Sequence, residues 1–186
     1  MSSSWFENTE GWANIEQGDI IFDCKVLELY YDTNGKLSAN EINTNAIVLT
    51  QSCDLENNKV SSIMLCPVFK LSDIIRNKNK DGMNKKDLEK VVKQLKNGQQ
   101  LNMFLLEKNE VSGDYLVVDF REAMTMPKDI LFEHNKDNTM HLRLKTPYRE
   151  ALSQSFARFF MRVALPSGVL INEKDYVTKI LSENET

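Results

Sequence analysis

Short apolar runs, broken by polar and turn-forming stretches, set the pattern of this chain, and three stretches carry helical spacing instead. The run Gly18-Asp19-Ile20-Ile21-Phe22-Asp23-Cys24-Lys25-Val26-Leu27-Glu28-Leu29 predicts a strand entered through a Gly-Asp turn, with a break near Asp23. Asp32-Thr33-Asn34-Gly35-Lys36 predicts a turn, because Asn and Gly tolerate positive φ. The polar stretch from there to Asn45 reads as a loop. Ala46-Ile47-Val48-Leu49-Thr50 is a continuous β-rich run of the buried-strand kind, ending in the polar cluster Gln51-Ser52-Cys53-Asp54. Residues 54–58 would connect it to a strand at Ile63-Met64-Leu65-Cys66-Pro67-Val68, where Pro67 predicts an edge or a strand terminus.

Helical spacing first shows at Leu88, Val91, Val92 and Leu95, with Asn84 as the cap and Gly98 as the stop. Strands are predicted over 101–106 and 115–120 around a Ser112-Gly113 turn, and a short one at His141-Leu142-Arg143-Leu144. A second helix opens at Thr146-Pro147 and carries Tyr148, Leu152, Phe156, Phe159, Phe160 and Val163 on its apolar side, with Pro166 and Gly168 closing it. A third is predicted from the cap Asn172 onward. The fold class that follows is α+β, a mostly antiparallel sheet with helices packed outside.

Length and composition support one domain. At 186 residues, 41% apolar and 27% charged, the chain can bury a core without staples. The organisation expected is an N-terminal arm over 1–17, a sheet over 18–145 with a helix at 84–97 inserted, and helices over 146–186. Cys24, Cys53 and Cys66 form no close pair and lie far from His134 and His141, so neither a metal site nor a disulfide framework is expected. No apolar run approaches the ~20 residues of a membrane helix, and the first residues lack a signal pattern, so a cytoplasmic protein is expected. No nucleotide or metal motif suggests a cofactor. The net charge of −4 does not favour broad nucleic-acid binding, although lysines cluster in 85–96.

The strand-end cluster carries the densest chemistry. Thr50, Ser52, Cys53 and Asp54 offer hydroxyls, a thiol and a carboxylate, with the Gln51 amide among them. Such groups could move a proton or hold a developing charge, and they could equally bond nearby backbone N–H groups in a turn. Arg121 stands at a strand end beside Glu122. Arg158 and Arg162 lie four apart on a helix face, suited to phosphate or to an acidic partner surface.

Four pieces resemble the MazF/PemK family of bacterial toxins: Gly18-Asp19-Ile20-Ile21-Phe22; Ala46-Ile47-Val48-Leu49-Thr50; Leu65-Cys66-Pro67-Val68; and Tyr115-Leu116-Val117-Val118-Asp119-Phe120-Arg121-Glu122 running into Pro127-Lys128-Asp129-Ile130-Leu131. The resemblance implies a small SH3-like barrel that cuts single-stranded RNA. The residues themselves, rather than the resemblance, make Thr50, Ser52, Cys53 and Asp54 the candidates for catalysis, and Gln51, Arg121, Arg158 and Arg162 those for RNA or partner contact. The chain departs from the family in several respects: Asn45-Ala46 stands where an arginine and a proline would be expected, the family's catalytic threonine or serine has no secure counterpart although Thr50 and Ser52 lie nearby, and a Lys-rich helix and a C-terminal helix are added. Two readings stay open. One is a toxin-like or defence-associated endoribonuclease acting on or binding RNA. The other is a non-catalytic module that kept the barrel and binds a protein, whether an antitoxin, a system component or a second copy of the chain.

Overall fold

The computed structural model describes residues 4–9, 15–138 and 141–161. Among them eight strands form one mostly antiparallel sheet, ordered β1 (Phe6–Asn8), β8 (His141–Leu144), β2 (Asp19–Tyr31), β3 (Leu37–Val48), β4 (Ser62–Lys70), β6 (Leu116–Asp119) and β5 (Met103–Leu106), with β7 (Met124–Pro127) also paired to β4. The fold is α+β, as the hydrophobic pattern predicts. The ladder is open, with β1 at one end and β5 at the other. Among the described residues five α-helices accompany it: α1 (Ser52–Glu56), α2 (Leu71–Lys80), α3 (Lys85–Lys96), α4 (Lys128–Asn135) and α5 (Tyr148–Phe160).

Adjacent residues of a strand point to opposite faces, and in β2 both faces are covered. Ile20 packs with Ile47, Leu116, Leu144 and Leu152 on one side. Ile21 packs with Val48, Ile63, Leu65 and Leu131 on the other. Double coverage explains why 18–22 and 46–49 read as continuous apolar runs rather than alternating ones. Helix α5 contributes Leu152 to the first cluster, with Phe156 and Phe159 against Phe120. Helix α4 contributes Leu131 to the second.

The break expected near Asp23 is a β-bulge: the pairing of β2 with β3 shifts register between Ile21 and Cys24, and Asp23 has φ 53°. Its N–H donates to Asn45 Oδ1 at 3.1 Å, so Asn45 braces the bulge. The Asp32–Lys36 turn is present, with Gly35 at φ 73°.

Several expectations need correction. The stretch up to Asn45 is strand, not loop: β3 begins at Leu37 and pairs residue for residue with β2 from Tyr31 down to Cys24. Polar side chains hid it, because this half of the strand has no layer packed over it. Pro67 lies in an interior strand. It sits where β4 passes from β7, which pairs Ser62 to Leu65, to β6, which pairs Val68 to Lys70, so neither neighbour asks for its missing N–H. The residues after Leu49 coil into α1 rather than forming an irregular connection. The first-predicted helix appears with its boundaries, capped by Asn84 Oδ1 accepting the Asp87 N–H at 3.1 Å. The expected arm over 1–17 supplies a strand, β1, on the end of the sheet. Val163, the closing residues Pro166 and Gly168, and the helix predicted from Asn172 lie outside the described residues.

Candidate functional site

The cluster 50–54 stands at the end of β3, where the chain turns from the core into α1. Its hydroxyls serve the backbone. Thr50 Oγ1 accepts the Met64 N–H at 2.7 Å, tying the turn to β4. Ser52 Oγ accepts the Gln17 N–H at 3.1 Å, while Gln17 Nε2 donates to the Leu49 carbonyl at 2.8 Å. These bonds stitch the entry of β2 to the exit of β3. Cys53 is exposed, its Sγ 3.7 Å from Gln51 Oε1 and 3.8 Å from Asp54 Oδ1. A thiolate nucleophile needs a base or a cation within reach, and here the neighbours are an amide oxygen and a carboxylate. Cys24 and Cys66 are core residues whose thiols burial pushes up to about 12, which keeps them protonated and inert.

The arginines divide. Arg121 turns back on its own strand end: Nε donates to Asp119 Oδ1 at 2.9 Å, and the guanidinium forms an ion pair with that carboxylate. Burial works to raise the Asp119 carboxyl, yet the Arg121 side chain and N–H hold it below the ordinary carboxylate range. Arg121 is therefore occupied. Arg158 is exposed on α5 and has no ion pair among the described residues. Arg162 lies outside the described residues. The structure thus brings Thr50, Gln51, Ser52, Cys53 and Asp54 together, and places Arg158 elsewhere, on a recess bounded by α5, α3 and β5. The histidines stand apart from the cluster as well. His134 Nδ1 lies 2.7 Å from Glu41 Oε2 on the outside of α4, and His141 is buried in β8.

Residue types alone hid three further features. Asp19, the second residue of the Gly-Asp motif, is fully buried and accepts from Arg143 Nε and Nη2 at 2.6 and 2.9 Å. Arg143 also pairs with Glu16, which in turn takes Arg149 of α5 at 3.1 Å. The Asp19 carboxylate also takes the Glu16 N–H at 2.8 Å, so the motif is an anchor for β2, β8 and α5. The second feature is the seam between the sheet ends, where β1 and β5 do not pair and the Trp5 N–H instead reaches Glu107 Oε2 at 3.1 Å. Two recesses, of about 540 and 660 Å³, open along this seam, and neither includes any of residues 50–54.

The third is the distal half of the β2–β3 pair. Strand β8 pairs only Asp19 to Ile21, and β4 pairs only Ala46 to Val48, so among the described residues the two strands pair with each other alone from Val26 to Ile42. Leu29, Tyr31 and Leu37 share one face of this ribbon and are 66%, 74% and 56% exposed. Among the described residues no three His, Cys, Asp or Glu stand together to hold a metal ion, and no helix is long and apolar enough to cross a membrane. No family model, curated protein or solved structure matches the chain.

Proposed function

We propose that the chain is a non-catalytic interaction module that grips a partner protein through the projecting β2–β3 ribbon, on a curled sheet related in plan to the SH3-like barrel of the MazF/PemK type. The observation that carries this is the apolar face of Leu29, Tyr31 and Leu37, held out from the body on two strands whose outer edges are unpaired. A contiguous exposed apolar patch marks an association surface. Unpaired strand edges beside it offer backbone bonds to the same partner. The partner fitted to it presents an apolar strip, extended in part.

The RNA-cutting alternative has less support. The hydroxyls of Thr50 and Ser52 accept backbone N–H groups and Arg121 is paired with Asp119, which supports a structural role for these three residues.

The test is co-purification with wild-type protein against Leu29→Glu and Tyr31→Glu. Both changes are expected to abolish partner capture while moving stability by no more than ~0.5 kcal/mol, as for exposed sites. If the wild type sediments as a dimer that the same changes break, the partner is a second copy. Retention of the partner by both variants would overturn the proposal. So would cleavage of a mixed-sequence single-stranded RNA that Asp54→Ala abolishes.

A further inference from the structure

The outer edge of β5 carries a separate inference. Strand β5 ends the ladder and pairs only with β6 among the described residues. The Phe120 N–H donates to the Asn102 carbonyl at 2.9 Å, one step beyond Met103↔Asp119 in the same register. Along an antiparallel pair, residues that exchange backbone bonds alternate with residues that do not. Phe104 and Leu106 therefore turn their N–H and C=O groups towards β6, whereas Met103 and Leu105 turn theirs away from it. The Met103 N–H is taken by the Gln100 carbonyl at 3.1 Å. The Met103 C=O and both backbone groups of Leu105 bond to no other described residue. Leu105 is half-buried, and backbone groups in such a place call for a partner.

All four residues of β5 line the recess of about 540 Å³, together with the end of α3 and one side of α5. Its walls are largely apolar: Leu101 is 48% exposed, and the Trp5 and Tyr148 rings stack at 4.0 Å. Its charged residues are Lys96, Arg158 and Glu107. Glu107 Oε2 already accepts the Trp5 N–H, while both cations are exposed and without an ion pair among the described residues. The recess therefore combines a free strand edge, apolar walls and a surplus of positive charge. An extended acidic peptide answers all three: its backbone bonds the edge, alternate side chains meet the walls, and a carboxylate meets the cations. A phosphate-bearing ligand would use the cations and leave the Leu105 N–H unbonded. We propose that the outer edge of β5 is a strand-addition site for an extended segment of a partner protein, apolar at alternate positions and carrying a carboxylate for Lys96 and Arg158. Four residues of β5 match ~13 Å of such a segment.

Selection of binders to the full chain from a library of random peptides, followed by amide hydrogen exchange, tests this. Selected peptides are expected to alternate apolar residues and to carry Asp or Glu. A saturating amount of one such peptide is expected to slow exchange of the Leu105 amide by about tenfold or more, because its N–H gains an acceptor. Methylating the peptide's backbone nitrogens one at a time is expected to weaken binding about fivefold or more at each nitrogen that meets β5, and little elsewhere. Lys96→Glu combined with Arg158→Glu is expected to turn selection towards peptides rich in Lys and Arg. Failure to select any peptide, binders that leave Leu105 exchange unchanged, or binders indifferent to the charge reversal would overturn the proposal. So would a Leu105 amide already slow to exchange in the free protein, since the chain itself or a second copy would then hold the edge. Tyr31→Glu on the ribbon is expected to leave peptide affinity unchanged, so failure here and failure of the ribbon proposal are told apart.

Discussion

His141 sits inside the sheet opposite Ile21, 5% exposed. Burial first, and the nearby Arg143 charge second, lower its pKa from 6.5 to about 4. The ring is neutral in the folded protein, whereas the unfolded chain takes up a proton below 6.5. Stability is therefore fully present above 6.5 and is lost as pH falls from there towards 4. At full extent the loss is roughly 3 kcal/mol, from about 1.4 kcal/mol per unit. Denaturant titrations at pH 7 and pH 5 are expected to show the onset, and His141→Phe to flatten that slope. The same scale explains why residues 50–54 attracted a catalytic expectation. A hydroxyl at a strand end has the same letter whether it accepts a backbone N–H or attacks a phosphate, and only the Met64 and Gln17 N–H groups decide for Thr50 and Ser52.

Elements were legible where local signals agree. Helix α3 has a cap, a stripe and a stop in its own sequence, and it forms where expected. Asn84→Ala is expected to cost about 1 kcal/mol in urea denaturation, by removing the Asn84 bond to the Asp87 N–H. Strand β3 was not legible through residues 37–45, because strand periodicity shows only when one face is buried, and this half projects. It is strand because β2 pairs with it across a tight turn, in register from Tyr31↔Leu37 to Cys24↔Thr44. The short helices α1 and α4 begin without a side-chain cap bond and left no signal of their own. Pro67 misled for a related reason: a missing N–H implies an edge only if each strand keeps one partner along its length, and β4 changes partners there.

Across the whole molecule, the Glu16, Asp19, Arg143 and Arg149 network ties the entry of β2, strand β8 and helix α5 together. Asp19 is fully buried, so removing its cation strands a charge in the core. Arg143→Met is expected to destabilise the protein by ~3–5 kcal/mol, measured by denaturant unfolding, with the loss felt as one cooperative transition. The open ladder has a whole-molecule consequence as well. Because β1 and β5 end the sheet without pairing, a groove stands where a closed barrel would have a continuous wall.

From the order of residues alone came the class of fold, the core runs 18–22 and 46–49, a break near Asp23 and the capped helix α3. Each depends on neighbours along the chain, or on how apolar side chains alternate, and such information is local. Tertiary structure alone decided that β3 extends through polar residues, that Asp19 faces Arg143 from far along the chain, and that the sheet ends meet without closing. It also decided which backbone N–H groups reach the hydroxyls of Thr50 and Ser52. These outcomes turn on which distant backbone or charge arrives beside a group, and a buried polar atom takes its role from the partner that reaches it.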